Sequence, residues 1–247
     1  MDKMIYVAMT GAREAMRAQS LVTHNLANAN TAGFRALQHS LQSAPIGGAG
    51  FATRVNALGR ADSFDPSQGT LIDTGDELDI AIRGEGWLAV QGPDGEEAYT
   101  RAGNLRVTPQ GLLETAAGQL VLGNGGPISL PPYQKLTIGE DGQISVVPQG
   151  QKPETVAQVD RLKLVNPPAA ELEQVAPGLF RTRSGEPAPV DPSVRVATGQ
   201  LEGSNVNATA ALVQMIELSR AYEMQVRAMH TAEENDQTAA RLMRLGG

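Results

Sequence analysis

The sequence predicts an α+β protein, with N- and C-terminal helices forming a coiled-coil-like base and a mainly antiparallel β domain inserted between them. Three observations lead there. All 15 prolines lie between Pro45 and Pro192, leaving the first 44 and last 55 residues without one. Proline removes a backbone donor and breaks helices, so proline-free ends around a proline-dense centre predict helical termini around a non-helical middle. Apolar residues recur at steps of three and four at both ends. Turn dipeptides recur at short intervals in the middle.

The first helix is expected from about Lys3 to Ala27, roughly 38 Å of axis at about 1.5 Å per residue. Ile5, Ala8, Met9, Ala12, Met16, Val22 and Leu26 give its apolar stripe, with Arg13, Glu14, Arg17 and Thr23 largely off it. Asn25, Asn28 and Asn30 then form a helix stop, because asparagine tolerates left-handed angles and bonds to nearby backbone. A Gly- and Ala-rich stretch from Ser43 to Asp65 has few signals and is expected to be an extended or mobile linker.

In the middle, "GWLAVQGPDGEEAYTR" places two strands around the turn Pro93-Asp94-Gly95. "RVTPQGLLET" repeats the device at Pro109-Gln110-Gly111, and "KLTIGEDGQISVV" does so at Asp141-Gly142. The β domain is expected over about Gly69 to Val165, with Asn166 to Asp191 returning the chain toward the base. A second helix follows the capping candidates Ser204, Asn205 and Asn207. It carries Leu212, Met215, Ile216, Tyr222, Val226 and Met229 as its stripe and stops at Gly246-Gly247. The domains are therefore 1–34 helix and junction, 35–68 linker, 69–198 β domain and return segment, and 199–247 junction and helix.

Both stripes are narrow and rich in alanine and methionine, closer to a coiled-coil seam than to a globular core face. The seam residues are Ile5, Met9, Ala12, Met16 and Val22 on one helix. Leu212, Met215, Tyr222, Val226 and Met229 supply the other.

Composition narrows the function. The net charge of -7 and pI near 5.0 argue against nucleic-acid binding and against adsorption to anionic lipid. There is no cysteine, which excludes disulfides and thiolate metal sites. No segment approaches the roughly 20 apolar residues that span a bilayer, so no membrane insertion is expected. Arg13, Glu14 and Arg17 interrupt any secretory h-region, so the chain either stays in the cytoplasm or leaves by a route that reads no cleavable signal.

No catalytic, cofactor-binding or metal-ligating residue is assigned. The three histidines, His24, His39 and His230, lack metal spacing. Asp76, Glu77 and Asp79 read as a turn before a strand edge, since the calcium-loop spacing is absent. "RGEGW" at 83–87 has no helix after it and so is no phosphate loop; its glycines fit a bulge or close packing beside Trp87. Two capping clusters that flank an interior domain at matching places, each beside an apolar seam, fit junctions that dock to one another or to neighbouring subunits.

Three stretches carry a resemblance. "NLANANTAGFRA" (25–36) resembles the N-terminal signature of bacterial flagellar rod and hook proteins, and "GQLEGSNVN" (199–207) their C-terminal signature. "LDIAIRGEGWLAVQGPDGEEAYTRAGNLRVTPQGLLETAAGQLVLG" (78–123) is similar to their shared central β motif. His24 and Ala29 depart from the usual helix end, and Arg35 stands where lysine is common. The opening and the modest length look most like a proximal rod subunit, with the distal rod subunit as runner-up.

The resemblance implies a structural protein of the basal-body rod, exported through the flagellar type III apparatus without a cleavable signal peptide. It implies assembly with copies of itself and other rod proteins across the periplasm, with terminal helices as the inner wall and the β domain facing outward. It marks Asn25, Leu26, Asn28, Asn30, Thr31, Gly33, Phe34, Ser204, Asn205 and Asn207 as assembly and junction residues, with Phe34 the anchor. Two other classes stay open. A secreted glycan binder on a helical stalk would need an exposed aromatic platform. A hydrolase would need a cleft with paired acids among Asp76, Glu77, Asp79 and Glu85.

Overall fold

A computed structural model describes residues 4–45, 55–59, 63–151 and 155–245. Lys3 and Gly246-Gly247, expected at the helix limits, lie outside the described residues, as does much of the Ser43–Asp65 stretch. The chain divides into two compact units.

The helical unit draws on 1–29, 36–65 and 206–247. Its α1 spans Met4–Ala27 and α2 spans Ala208–Leu245, about 36 and 57 Å of axis. The two helices pack along each other. Gly11 meets Gln225, and these two stand nearly equal numbers of residues from the C-terminus of α1 and the N-terminus of α2. Small residues carry the buried faces: Ala8, Ala12, Ala15 and Val22 on α1, Ala211 and Ala232 on α2. Small side chains let helix axes approach closely, so the face buried within the chain is narrower than the full apolar stripe.

The segment expected as a linker is instead strand-paired over its described residues. Leu41–Pro45 pairs with Val55–Gly59, and Leu37–Gln38 with Ser63–Phe64, all antiparallel. This arm lies on α1. Its local sequence carries little alternation, and what holds it is contact with a helix distant in sequence, which periodicity cannot show.

The body draws on 30–35 and 66–205. A five-stranded antiparallel sheet runs in the order Leu164–Val165, Trp87–Gln91, Glu97–Thr100, Leu179–Thr182, Leu172–Ala176. A three-stranded meander contains Tyr133–Ile138, Gln143–Pro148 and Ala157–Arg161. Short ribbons complete it, including Ile80–Arg83 with Arg195–Thr198 and Leu71–Asp73 with Gln200–Glu202. The expected turns form where the dipeptides stand, and Gly95, Gly111 and Gly142 take left-handed angles there.

The return segment holds more structure than expected. Leu172–Ala176 and Leu179–Thr182 form a hairpin inside the main sheet, turning at Pro177-Gly178. Leu172, Leu179 and Phe180 are buried there, which sets the segment's place more strongly than its Pro and Gly content. The core is aliphatic, as the scarcity of aromatics demands; Leu88, Val90, Leu113, Val121, Ile128 and Ile144 are all within 1% of full burial. Trp87 is buried too, its ring 4.8 Å from that of Phe180.

Candidate assembly junction

α1 ends as its asparagines require, but each does a different thing. The Asn28 amide stays bonded to His24 O (3.2 Å), and its side chain donates to the same carbonyl (2.9 Å), closing the last turn. Asn25 instead reaches out of the helix. Its Nδ2 donates to Leu37 O and its Oδ1 accepts from Leu37 N, both at 2.8 Å. The side chain thus acts as one rung of strand pairing and holds the base of the arm. Leu26 is half-buried, and Asn30 and Thr31 are exposed.

From Asn30 to Arg35 the chain belongs to the body. Phe34 N donates to Thr31 O (3.3 Å), forming a tight turn with Gly33 at φ 67°. Glycine is required at 33 twice over. The left-handed angle disfavours any side chain, and a Cβ there would sit 2.2 Å from the carbonyl carbon of Arg101. Gly33 N donates to Glu202 O (2.7 Å), and Phe34, fully buried, accepts from Asn205 N (3.3 Å). Asn205 Nδ2 donates to Ser67 O (3.0 Å). The N-terminal and C-terminal junction strands are therefore stitched to each other.

Beneath them lies a charged cluster. Glu202 is fully buried and shared by two arginines. Arg35 Nη1 lies 2.5 Å from its Oε1, and Arg101 Nη1 lies 3.0 Å from its Oε2. Glu202 Oε1 also accepts from Gly69 N (3.0 Å). Arg101 donates further to Gly84 O (2.7 Å), and its guanidinium stands 5.5 Å from the Trp87 ring. Burial pushes the Arg101 guanidinium below its ordinary value; Glu202 opposes that shift and Arg35 adds to it. Arg35 Nε and Nη2 find no acceptor among the described residues. A buried cluster with two cations and one carboxylate fixes geometry more than it adds stability.

Past the junction, Asn207 Oδ1 accepts from Ala210 N (3.0 Å), the N-cap of α2. Ser204 is half-buried. Of the seam residues, Ala12 and Val22 are buried and Ile5, Met215, Tyr222, Val226 and Met229 half-buried. Met9, Met16 and Leu212 are exposed.

Sequence reasoning marked the asparagines, Gly33 and Phe34, but not Arg35, Arg101 or Glu202. The signal was present: each of the three charged residues sits in a different one of the three quoted motifs. The acidic turn is a turn, with Asp76 Oδ1 accepting from Leu78 N (2.9 Å) and the exposed Glu77 3.3 Å from Lys135. No group of three metal-capable side chains occurs among the described residues, and no described helix is long and apolar enough to cross a membrane.

The chain matches three family models in order. Residues 5–35 match the flagella basal body rod protein model. Residues 81–146 match the flagellar hook protein FlgE/F/G D1 domain, and 197–242 the flagellar basal body rod FlgEFG protein C-terminal model. It is 41% identical to the flagellar basal-body rod protein FlgF of Salmonella typhimurium, covering 98% of this chain and 99% of that one. Identity to the Escherichia coli FlgF is 40% at the same coverage. A FlgG rod protein of Buchnera aphidicola is 31% identical over 96% and 98% of the two chains.

The chain belongs to the flagellar basal-body rod family. It is a structural rod protein and not an enzyme. The geometry gives the three matches one meaning for this rod-family chain. Arg35 closes the first matched stretch, Arg101 lies in the second and Glu202 in the third. The family's three segments meet at one buried carboxylate.

Proposed function

We propose that the chain is a proximal-type subunit of the basal-body rod, which polymerises through its terminal helices with copies of itself and other rod proteins. The observation that carries this reading is the apolar surface left on both helices. Met9 and Met16 on α1, and Leu212 and Ile216 on α2, are each half or more exposed. Exposed apolar stripes of this kind mark interaction surfaces. Covering them with neighbouring helices, in coiled-coil fashion, would remove apolar area at about 25 cal/mol per Å². Head-to-tail contacts that do not close yield a helical tube.

On this reading 1–34 and 199–247 are the assembly segments, 69–198 is the outward body, and 35–68 lies between. The proximal rather than distal assignment follows the higher identity to the FlgF relatives. Export through the flagellar type III apparatus to a periplasmic rod, with no signal removed, completes the proposal.

The test is complementation of a strain lacking the chromosomal copy. Met9→Glu and Leu212→Glu should abolish swimming and leave isolated basal bodies without the subunit, while Trp87 fluorescence of the purified variants stays native. Normal swimming of both variants would sink the proposal. Mass spectrometry of assembled subunits should find the uncleaved N-terminus; a trimmed one would refute the export route.

A further inference from the structure

Two buried side chains of the helical unit take no part in the junction. Glu14, midway along α1, is only 5% exposed. His39, in the arm, places Nε2 3.5 Å from Glu14 Oε2, and both side chains are more than nine-tenths buried. Arg13 Nη2 stands 3.5 Å from the other oxygen but is itself exposed.

Gly59, which pairs with Leu41 across the ribbon, lies over this contact. A Cβ at 59 would fall 2.5 Å from Glu14 Oε2 and 2.9 Å from His39 Cε1. Position 59 leaves that space to the carboxylate and imidazole.

The arm is otherwise thinly held. Leu41, Val55 and Leu58 are exposed, and Phe64 is its one buried apolar side chain among the described residues. Two of its holds on α1 are the Asn25 clamp at Leu37 and the Glu14–His39 contact under Gly59. A buried carboxylate is costly without a partner, so seating the arm over Glu14 is tied to the imidazole that comes with it. Segments with few buried apolar contacts open locally at low free energy.

We propose that Glu14, His39 and Gly59 form a catch that seats the ribbon of Leu41–Pro45 and Val55–Gly59 on α1, and that this ribbon opens as a unit when the catch is broken. This goes beyond the rod reading and does not depend on it, since the test uses the free monomer.

Hydrogen exchange with mass spectrometry on the full-length protein at low concentration reads it. His39→Leu takes the polar partner away from the buried carboxylate, and Gly59→Ala drives a methyl into it. Each should speed exchange of the 41–45 and 55–59 amides about tenfold or more, the change that about 1.4 kcal/mol produces. Exchange in the body strands, such as Trp87–Gln91 and Gln143–Pro148, should not move. Gly59→Ala combined with Glu14→Ala should exchange more slowly than Gly59→Ala alone, because the added methyl then occupies the space of the missing carboxylate. Arm exchange within twofold of wild type in both single variants would overturn the catch. So would a uniform rise along both helices, or a double variant no slower than Gly59→Ala.

Discussion

Glu202→Gln isolates the charge at the centre of the junction. The substitution keeps the side chain's size and leaves Gln able to accept from Gly69 N. Among the described residues it removes the only carboxylate within hydrogen-bonding distance of Arg35 and Arg101, whose side chains are 0% and 4% exposed. Breaking a buried pair costs about 3–5 kcal/mol, because the surviving charge stays buried and uncompensated. Here two survive, facing each other. Against a typical total of about 5–15 kcal/mol the loss is large. At about 2–4 °C per kcal/mol for a unit of this size, the body should melt about 10 °C or more lower. Trp87, the single tryptophan, lies 5.5 Å from Arg101 and reports the body directly by fluorescence. The control is Glu114→Gln, whose pair with Arg106 is largely solvent-facing on the arginine side; it should cost about 1 kcal/mol or less. Arg35→Met should cost less than Glu202→Gln, since it leaves one guanidinium to one carboxylate. A loss below about 1 kcal/mol for Glu202→Gln, or a reversed order for the two variants, would refute the reasoning.

Other outcomes follow from the same geometry. Gly33→Ala should destabilise the body more than an ordinary glycine replacement costs, because it adds a collision with Arg101 backbone to the strain of φ 67°; thermal melting followed by Trp87 fluorescence measures it. Asn207→Ala removes the α2 N-cap and should cost about 1 kcal/mol, seen as faster exchange in the first turn of α2. Tyr99 carries a pH dependence. Burial above all, opposed by the bond from Ala188 N and helped by the Glu97 carboxylate, pushes its phenol up to about 12. The folded state therefore keeps a proton that the unfolded state gives up near 10. The stability it contributes is present below about pH 10 and is lost as pH rises toward about 12. Absorbance titration should show one of the four tyrosines ionising after the rest, and Tyr99→Phe should remove that late step.

Much of the fold was legible in the sequence because its signals are local. Proline's missing donor and the steps of three and four set the two helices, and Asn207 marked the start of α2. Turn dipeptides at 94–95 and 141–142 set two hairpins, since the left-handed angle that a tight turn needs is a property of the residues at the turn itself. The amide of Asn25 was visible as a helix stop, but its bond to Leu37 was not. Nothing local says that a side chain will complete a strand twelve residues on.

The remaining misses have the same cause. The hairpin at 172–182 joins the main sheet because Leu172, Leu179 and Phe180 find partners far away in the chain. The arm's described strands pair and lie on α1 although their local sequence carries little pattern. Arg35, Arg101 and Glu202 read singly as ordinary solvated charges. Only the tertiary structure placed them together, because which charges share a low-dielectric interior depends on what excludes water around them. The sequence by itself determined the helices, the turns and the aliphatic character of the core. The structure decided that three distant segments close over one carboxylate, because burial and long-range pairing are properties of the packed chain and not of any stretch within it.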